Sequence, residues 1–286
     1  MKSDHALCLS PKGFHRMRYV EWGPPMAERI VICVHGLTRN CRDFDFLAQA
    51  LLPECRVVCP DVVGRGKSDW LEDKTGYGYP QYCADMATLI ARVTAGAEAP
   101  KRIFWVGTSL GGIVGMLLAS CAGSPIEKLV MNDIGAVVPK SALARIATYI
   151  GQDPRFGTFE ELEAYVRTVS APFGPLTDEQ WLHLAVHSAR QHEDGSWGLL
   201  YDPAIALPFR KGPLADIDLL AQWEAVRCPT LLLRGAQSDL LLKDIAAAMT
   251  RSGPKPRLVE FDGVGHAPML LAPEQIEVVR EFLLAG

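Results

Sequence analysis

Two histidines, two aspartates and a serine follow strand-like runs in this sequence, and these side chains are suited to nucleophilic catalysis. Ser109 lies in Gly107-Thr108-Ser109-Leu110-Gly111, between the apolar run 103–106 and a helical apolar segment. A strand, a sharp turn and a helix around a G-x-S-x-G pattern are typical of a nucleophile elbow. A Cβ at Gly107 or Gly111 would collide with the neighbouring strand and helix, so glycine is expected at both positions. The pattern predicts a serine hydroxyl that stands clear of a sheet.

A serine hydroxyl is a poor nucleophile at neutral pH and needs a base, for which histidine has the appropriate pKa. His266 follows the last strand-like run, and its neighbours Gly263 and Gly265 let the loop fold the ring back towards Ser109. A carboxylate must then hold the other ring nitrogen. Asp239 and Asp133 both follow strand-like runs. We favour Asp239, because its strand directly precedes the strand that leads to His266, and Asp133 is the alternative.

A second loop is suited to stabilising negative charge. The β-branched run Ile30–Val34 leads into His35-Gly36-Leu37-Thr38. A glycine at the strand end lets the backbone turn back over the sheet, and the N–H of Leu37 is then the natural oxyanion donor. We expect His35 to orient this loop through hydrogen bonds rather than to take part in the chemistry.

The elements that must position these residues alternate between strands and helices. Continuous apolar strands predict a mostly parallel sheet buried on both faces, and ligands bind such sheets at the carboxyl ends of the strands. This alternation of strands and helices stops at Val137 and resumes after Trp223. The region between them contains helical stretches separated by Pro and Gly breaks. We therefore predict a core of residues 1–136 and 224–286 and a helical cap of residues 137–223.

The composition of the chain indicates which binding partners and which cellular location to expect. With 29 basic and 33 acidic residues, a net charge of −4 and no basic tract, a nucleic-acid partner is not expected. The sequence has no apolar run near the roughly 18 residues of a membrane span and no signal-peptide pattern at the N-terminus, so a cytoplasmic location without membrane association is expected. Eight cysteines, with no C-x-x-C pair, are expected to be reduced thiols, most of them buried.

These motifs together resemble the α/β-hydrolase superfamily. The resemblance rests on His35-Gly36, the loop 60–69, the Gly107–Gly111 elbow, the segment 235–239 and Gly265-His266, in the chain order serine, acid, histidine. It implies an eight-stranded, mostly parallel sheet flanked by helices, with a helical cap inserted between strands six and seven. It also implies a triad of Ser109, Asp239 and His266, with the backbone N–H groups of Leu37 and Leu110 as oxyanion donors. A serine nucleophile disfavours dehalogenation and epoxide opening, which rely on aspartate.

The predicted reaction is hydrolysis of a small to medium carboxylic ester or lactone through an acyl-enzyme, without metal or organic cofactor. Seven aromatic residues of the cap suggest a largely apolar pocket, namely Phe156, Tyr165, Phe173, Trp181, Trp197, Tyr201 and Phe209. One alternative is a carbon–carbon bond hydrolase or cofactor-free perhydrolase of the same fold. Another, of a different class, is a non-catalytic small-molecule receptor. The partner is expected to be a small ester-like molecule, and self-association into a homo-oligomer remains open.

Overall fold

A computed structural model describes residues 1–96, 100–210 and 212–285. Its centre is an eight-stranded sheet in the order β1-β2-β4-β3-β5-β6-β11-β12. The first two strands pair antiparallel, as do β2 and β4, and the remaining pairs are parallel. The sheet strands are β1 (Lys2–Ser10), β2 (Gly13–Trp22), β3 (Arg29–Val34), β4 (Cys55–Pro60), β5 (Arg102–Thr108), β6 (Ile126–Asn132), β11 (Thr230–Gly235) and β12 (Arg257–Phe261).

Both faces of this sheet are buried, which explains its apolar central strands. Successive side chains of a strand point to opposite faces, and in β3 Ile30, Ile32 and Val34 join one apolar cluster while Val31 and Cys33 join another. Helices therefore cover both sides. Buried residues of α2 (Tyr79–Thr94) and α3 (Leu110–Ser120) belong to the first cluster, and buried residues of α1 (Asp45–Ala50) and α9 (Pro273–Leu284) belong to the second. The chain also forms the helices α7 (Leu220–Ala225) and α8 (Lys243–Met249).

The chain between the sixth and seventh strands of the sheet is mainly helical. It begins and ends at a short antiparallel pair, in which Val137 and Val138 face Asp218 and Ile217. We call residues 137–218 the intervening segment. Its elements are β7 (Val137–Val138), α4 (Lys140–Ala147), α5 (Phe159–Val169), α6 (Asp178–Ser188), β8 (Ala189–Gln191), β9 (Trp197–Leu199) and β10 (Ile217–Asp218). Division of the chain into a core and a cap domain stays a prediction.

The predicted fold class is confirmed, namely a mostly parallel eight-stranded sheet flanked by helices. Local differences occur in the intervening segment. The pattern predicts a helix over 178–191, but the helix ends at Ser188, and residues 189–191 pair with 197–199. Polar turn residues between these stretches let the chain reverse and form a hairpin. Helical periodicity in the sequence does not predict this pairing. Among the described residues, none of the helices has the length and apolarity to span a membrane.

Candidate active site

Ser109 lies at the sharp turn between β5 and α3, as the sequence predicts. Its backbone adopts φ 51° and ψ −114°, which is unusual for a residue with a side chain. Close packing explains the flanking glycines. A Cβ on Gly107 would approach Gly111 O to 2.2 Å, and a Cβ on Gly111 would approach Val34 O to 2.0 Å. The Ser109 N–H donates to Asn132 O at 2.9 Å, which ties the turn to β6.

His266 makes the hydrogen bonds expected of a general base for Ser109. The loop after β12 places its Nε2 3.0 Å from Ser109 Oγ. Its other ring nitrogen, Nδ1, lies 2.7 Å from Asp133 Oδ2. Because Asp133 only accepts hydrogen bonds when ionised, Nδ1 carries the proton and Nε2 is free to accept one from the serine.

Asp133 occupies the position in which a catalytic triad has its acid, next to the histidine. It directly follows β6, with φ 54°, and its side chain is completely buried. Besides His266, the carboxylate accepts hydrogen bonds from the Gly235 N–H at 2.9 Å and from Ser238 Oγ at 2.6 Å. Three donors satisfy most of its lone pairs, and they hold the carboxylate as an anion in one orientation. The two donors other than His266 come from the last residue of β11 and from the turn that follows it.

The preference for Asp239 as the partner of His266 was wrong. The carboxylate of Asp239 instead forms a two-pronged ion pair with Arg145, and about half of its side chain (48%) is exposed. The chain turns immediately after β11, with the Ser238 N–H donating to Gly235 O. This turn points Ser238 inwards at Asp133 and carries Asp239 outwards. Ser238 was not among the predicted site residues, although a hydroxyl next to an acid after a strand is a usable signal.

The two predicted oxyanion donors border the same space as Ser109. Leu110 is the first residue of α3, so its N–H points out of the helix N-terminus, where the helix dipole favours negative charge. Leu37 is held by Arg65, whose Nε donates to Leu37 O at 2.8 Å. Within the described residues neither N–H has a protein acceptor. Both are therefore free to donate to an oxygen near Ser109.

His35 orients the loop that follows β3 through two backbone hydrogen bonds, as expected. Its Nε2 accepts from the Val62 N–H at 2.9 Å, so the ring proton is on Nδ1, which donates to Gly36 O at 2.7 Å. Complete burial lowers the pKa of His35 to about 3. The ring is thus neutral at physiological pH, and this tautomer holds the two loops together.

A cavity of about 580 Å³ lies between the sheet end and the intervening segment and includes Ser109 and His266. Most of its lining is apolar, and four of the seven predicted aromatic residues contribute to it, namely Tyr165, Phe173, Tyr201 and Phe209. The other three pack within the segment or against the core. Arg39 and Asp43 also border the cavity as a nearly buried ion pair at 2.6 Å. Neither residue was a predicted site residue, although opposite charges at i,i+4 spacing are a local signal of such a pair.

Two groups of potential metal ligands occur among the described residues, and both lie outside the cavity lining. They are Cys8 with His15 and Asp85, and Asp45 with His183 and His187. Their carboxylates already have protein partners, since Asp85 accepts from Gln81 and contacts His15, and Asp45 pairs with Arg42.

The chain is similar to known hydrolases in both sequence and structure. A 3-hydroxybutyrate-oligomer hydrolase of Cupriavidus necator is 48% identical over 283 residues, which cover 96% of this chain and 95% of that protein. An esterase of Mycobacterium tuberculosis is 29% identical over 272 residues, covering 88% and 82% of the two chains. The crystal structure of a putative hydrolase from Rickettsia typhi superposes with a TM-score of 0.90 at 30% identity over 99% of both chains. Residues 31–278 match the model of the alpha/beta hydrolase family, and the chain belongs to this family.

Proposed function

We propose that this protein is a serine hydrolase that cleaves carboxylic esters through an acyl-enzyme intermediate. The observation that carries the proposal is the continuous hydrogen-bonded chain from Ser109 Oγ through His266 to the buried Asp133, with distances of 3.0 and 2.7 Å. This arrangement supplies a nucleophile, a base in the correct tautomer and a fixed negative charge to stabilise the imidazolium. The triad of the proposal is therefore Ser109, His266 and Asp133.

In the first half of the reaction, His266 Nε2 takes the proton of Ser109 while Oγ attacks the ester carbonyl carbon. The carbonyl oxygen becomes negatively charged and accepts hydrogen bonds from the N–H groups of Leu37 and Leu110. Each such donor typically lowers the barrier by about 3 kcal/mol. When the tetrahedral intermediate collapses, the bond to the alcohol oxygen breaks and His266 delivers its proton to that oxygen.

In the second half, water replaces the alcohol. His266 removes a proton from the water as its oxygen attacks the acyl carbon, and the same two N–H groups stabilise the second oxyanion. The ester bond to Ser109 then breaks, Oγ regains the proton from His266, and the carboxylic acid leaves. Every proton passes through one imidazole, which Asp133 keeps in place.

For the substrate, we propose linear oligomers of 3-hydroxybutyrate or of a closely similar hydroxy acid. The relative of this chain that is named a hydrolase of such oligomers is 48% identical over nearly the whole of both chains. The cavity supports the idea, since a largely apolar lining suits short aliphatic units, and its volume of about 580 Å³ is within the usual range for small-molecule sites. The intervening segment would act as the cap that encloses the oligomer.

The test is turnover of a defined linear trimer of 3-hydroxybutyrate, followed by chromatography of the released monomer and dimer. We expect hydrolysis by the unaltered protein, and loss of activity in Ser109→Ala. A fluorophosphonate probe should label the unaltered protein but not this variant. Labelling without turnover of the trimer or of any ester in a chain-length panel would contradict the proposed function and favour the receptor alternative.

A further inference from the structure

Two arginines border the cavity, and they differ in how their charge is balanced. The Arg39 guanidinium donates to both oxygens of Asp43 at 2.6 and 2.9 Å and to Ser188 Oγ at 3.0 Å. Asp43 itself borders the cavity, and both side chains of this pair are nearly buried, with exposures of 12% and 7%. Breaking a buried ion pair leaves an uncompensated charge. A second anion at Arg39 would also meet the Asp43 carboxylate, so this pair is a poor site for one.

Arg145 has the opposite character. It lies on α4 and borders the cavity, while the carboxylate that pairs with it, that of Asp239, lies outside the cavity lining. Both side chains are well exposed, at 39% and 48%. An exposed ion pair of this kind contributes at most about 1 kcal/mol. Asp239 is therefore a counter-ion that an incoming carboxylate is able to displace.

The donor geometry around Arg145 suits a carboxylate. Its Nε and Nη2 donate to Asp239, and within the described residues no other carboxylate hydrogen-bonds it, so several of its five N–H donors remain available. Tyr149 also borders the cavity and interacts with Arg145, whose positive charge opposes the rise that burial causes in the pKa of Tyr149. A guanidinium beside a phenol hydroxyl presents several donors to one anion.

We infer that Arg145, with the hydroxyl of Tyr149, binds the free carboxylate of the substrate by exchanging Asp239 for it. This inference rests on the proposed function for the identity of the substrate, because a linear hydroxy-acid oligomer has one free carboxylate at its acid end. The protein would then select esters that carry a carboxylate over neutral esters of the same length. It would also bind the oligomer in one direction, with its acid end at Arg145.

Binding measurements in a Ser109→Ala background test this without any need for turnover. Isothermal titration calorimetry compares the linear 3-hydroxybutyrate trimer as the free acid with its methyl ester, which lacks the charge. We expect Ser109→Ala to bind the acid more tightly than the ester, by about tenfold or more, as hydrogen bonds to a charged group predict. Adding Arg145→Gln should remove this preference. Adding Asp239→Asn should increase it, because the competing carboxylate is lost.

Arg155→Gln is the matched control, since Arg155 is an exposed arginine of the same segment that pairs with Asp153 at 3.3 Å and lies outside the cavity lining. The preference should survive this substitution. Equal binding of acid and ester to Ser109→Ala, binding of neither, or a preference that persists in Arg145→Gln would each overturn the inference. Turnover of the same trimer by the unaltered protein is measured separately, so failure of the proposed function is distinguishable from failure of this site.

Discussion

Asp133 combines complete burial with three hydrogen-bond donors, and this combination suits it to hold a charge beside His266. A buried carboxylate without donors would become neutral. Here the Gly235 N–H and the Ser238 hydroxyl replace the lost hydration, so the negative charge remains available to the imidazolium. Ser238 is thus a positioning residue for the acid.

Replacing Asp133 by Asn should lower kcat for p-nitrophenyl butyrate by about four orders of magnitude, because the amide favours the wrong tautomer of the base. Asp239→Asn should change it by no more than about fivefold, since its exposed ion pair is worth little. Steady-state kinetics on both variants, with circular dichroism to check folding, decide the assignment. If the effects were reversed, Asp239 would be the triad acid.

The buried His35, which orients the loop after β3, should make the free energy of unfolding depend on pH. Its pKa is about 3 in the folded chain and near 6.5 when unperturbed. Between these values the unfolded chain binds a proton that the native chain does not. The free energy of unfolding should therefore fall as the pH drops from about 6.5 towards 3, by up to about 1.4 kcal/mol per pH unit from this residue.

The measurement is urea denaturation at several pH values for the unaltered protein and for His35→Gln. The variant should be less stable at pH 7 but should lose less stability per pH unit on the acid side. His187, whose pKa burial lowers to about 4, contributes a similar slope to both proteins and cancels in the comparison. Parallel curves for the two proteins would show that His35 is not the group responsible.

The nucleophile elbow depends on close contact between β3, β5 and α3. The helix starts directly beneath the neighbouring strand, and the space for a Cβ at Gly111 is already filled by Val34 O. This closeness brings the N–H of Leu110 and the end of β3 to the same side of Ser109. The turn at Ser109 and the start of the loop that follows β3 are therefore packed against each other.

Gly111→Ala should therefore lower the free energy of unfolding by about 1–3 kcal/mol or more, the usual cost of forced overpacking. Gly157→Ala is the matched control, because Gly157 is exposed and a Cβ there has only an ordinary contact, with Glu161 Oε2 at 3.4 Å. It should change stability by less than about 0.5 kcal/mol. Chemical denaturation of the two variants makes the comparison, and equal stability would contradict the steric argument.

At the level of the whole molecule, the eight cysteines report on how the chain is packed. All eight are free thiols, five are buried, Cys83 and Cys228 are partly buried, and Cys121 is exposed. Burial raises the pKa of Cys8 to about 12 and that of Cys55 and Cys83 to about 11. Thiols react as thiolates, so both access and ionisation protect the buried ones.

Native protein treated with Ellman's reagent should show one fast-reacting thiol, and Cys121→Ser should abolish that phase. Unfolding in guanidinium without reductant should expose all eight. Fewer than eight reactive thiols after unfolding would indicate disulfides, which this fold does not contain among its described cysteines.

Much of the sheet was predictable because its signals are local. Short β-branched apolar runs such as Ile30–Val34 predict buried strands. The glycines of the G-x-S-x-G motif predict a sharp turn, because a Cβ at either position would collide with a neighbouring element. The end of the strand pattern at Val137 and its return after Trp223 are local signals of the same kind. The hairpin at 189–199 was missed, because pairing between short polar strands leaves little mark on periodicity.

The sequence by itself determined the class of chemistry, since a serine on an elbow and a histidine after the last strand are fixed by motifs a few residues long. Only the tertiary structure decided which aspartate serves them. Asp133 and Asp239 both follow parallel strands, so their sequence contexts are equivalent. The difference arises because the turn after β11 points Ser238 inwards and Asp239 out to Arg145. Which aspartate contacts His266 depends on packing between loops that are distant in the sequence, and local sequence patterns do not predict such packing.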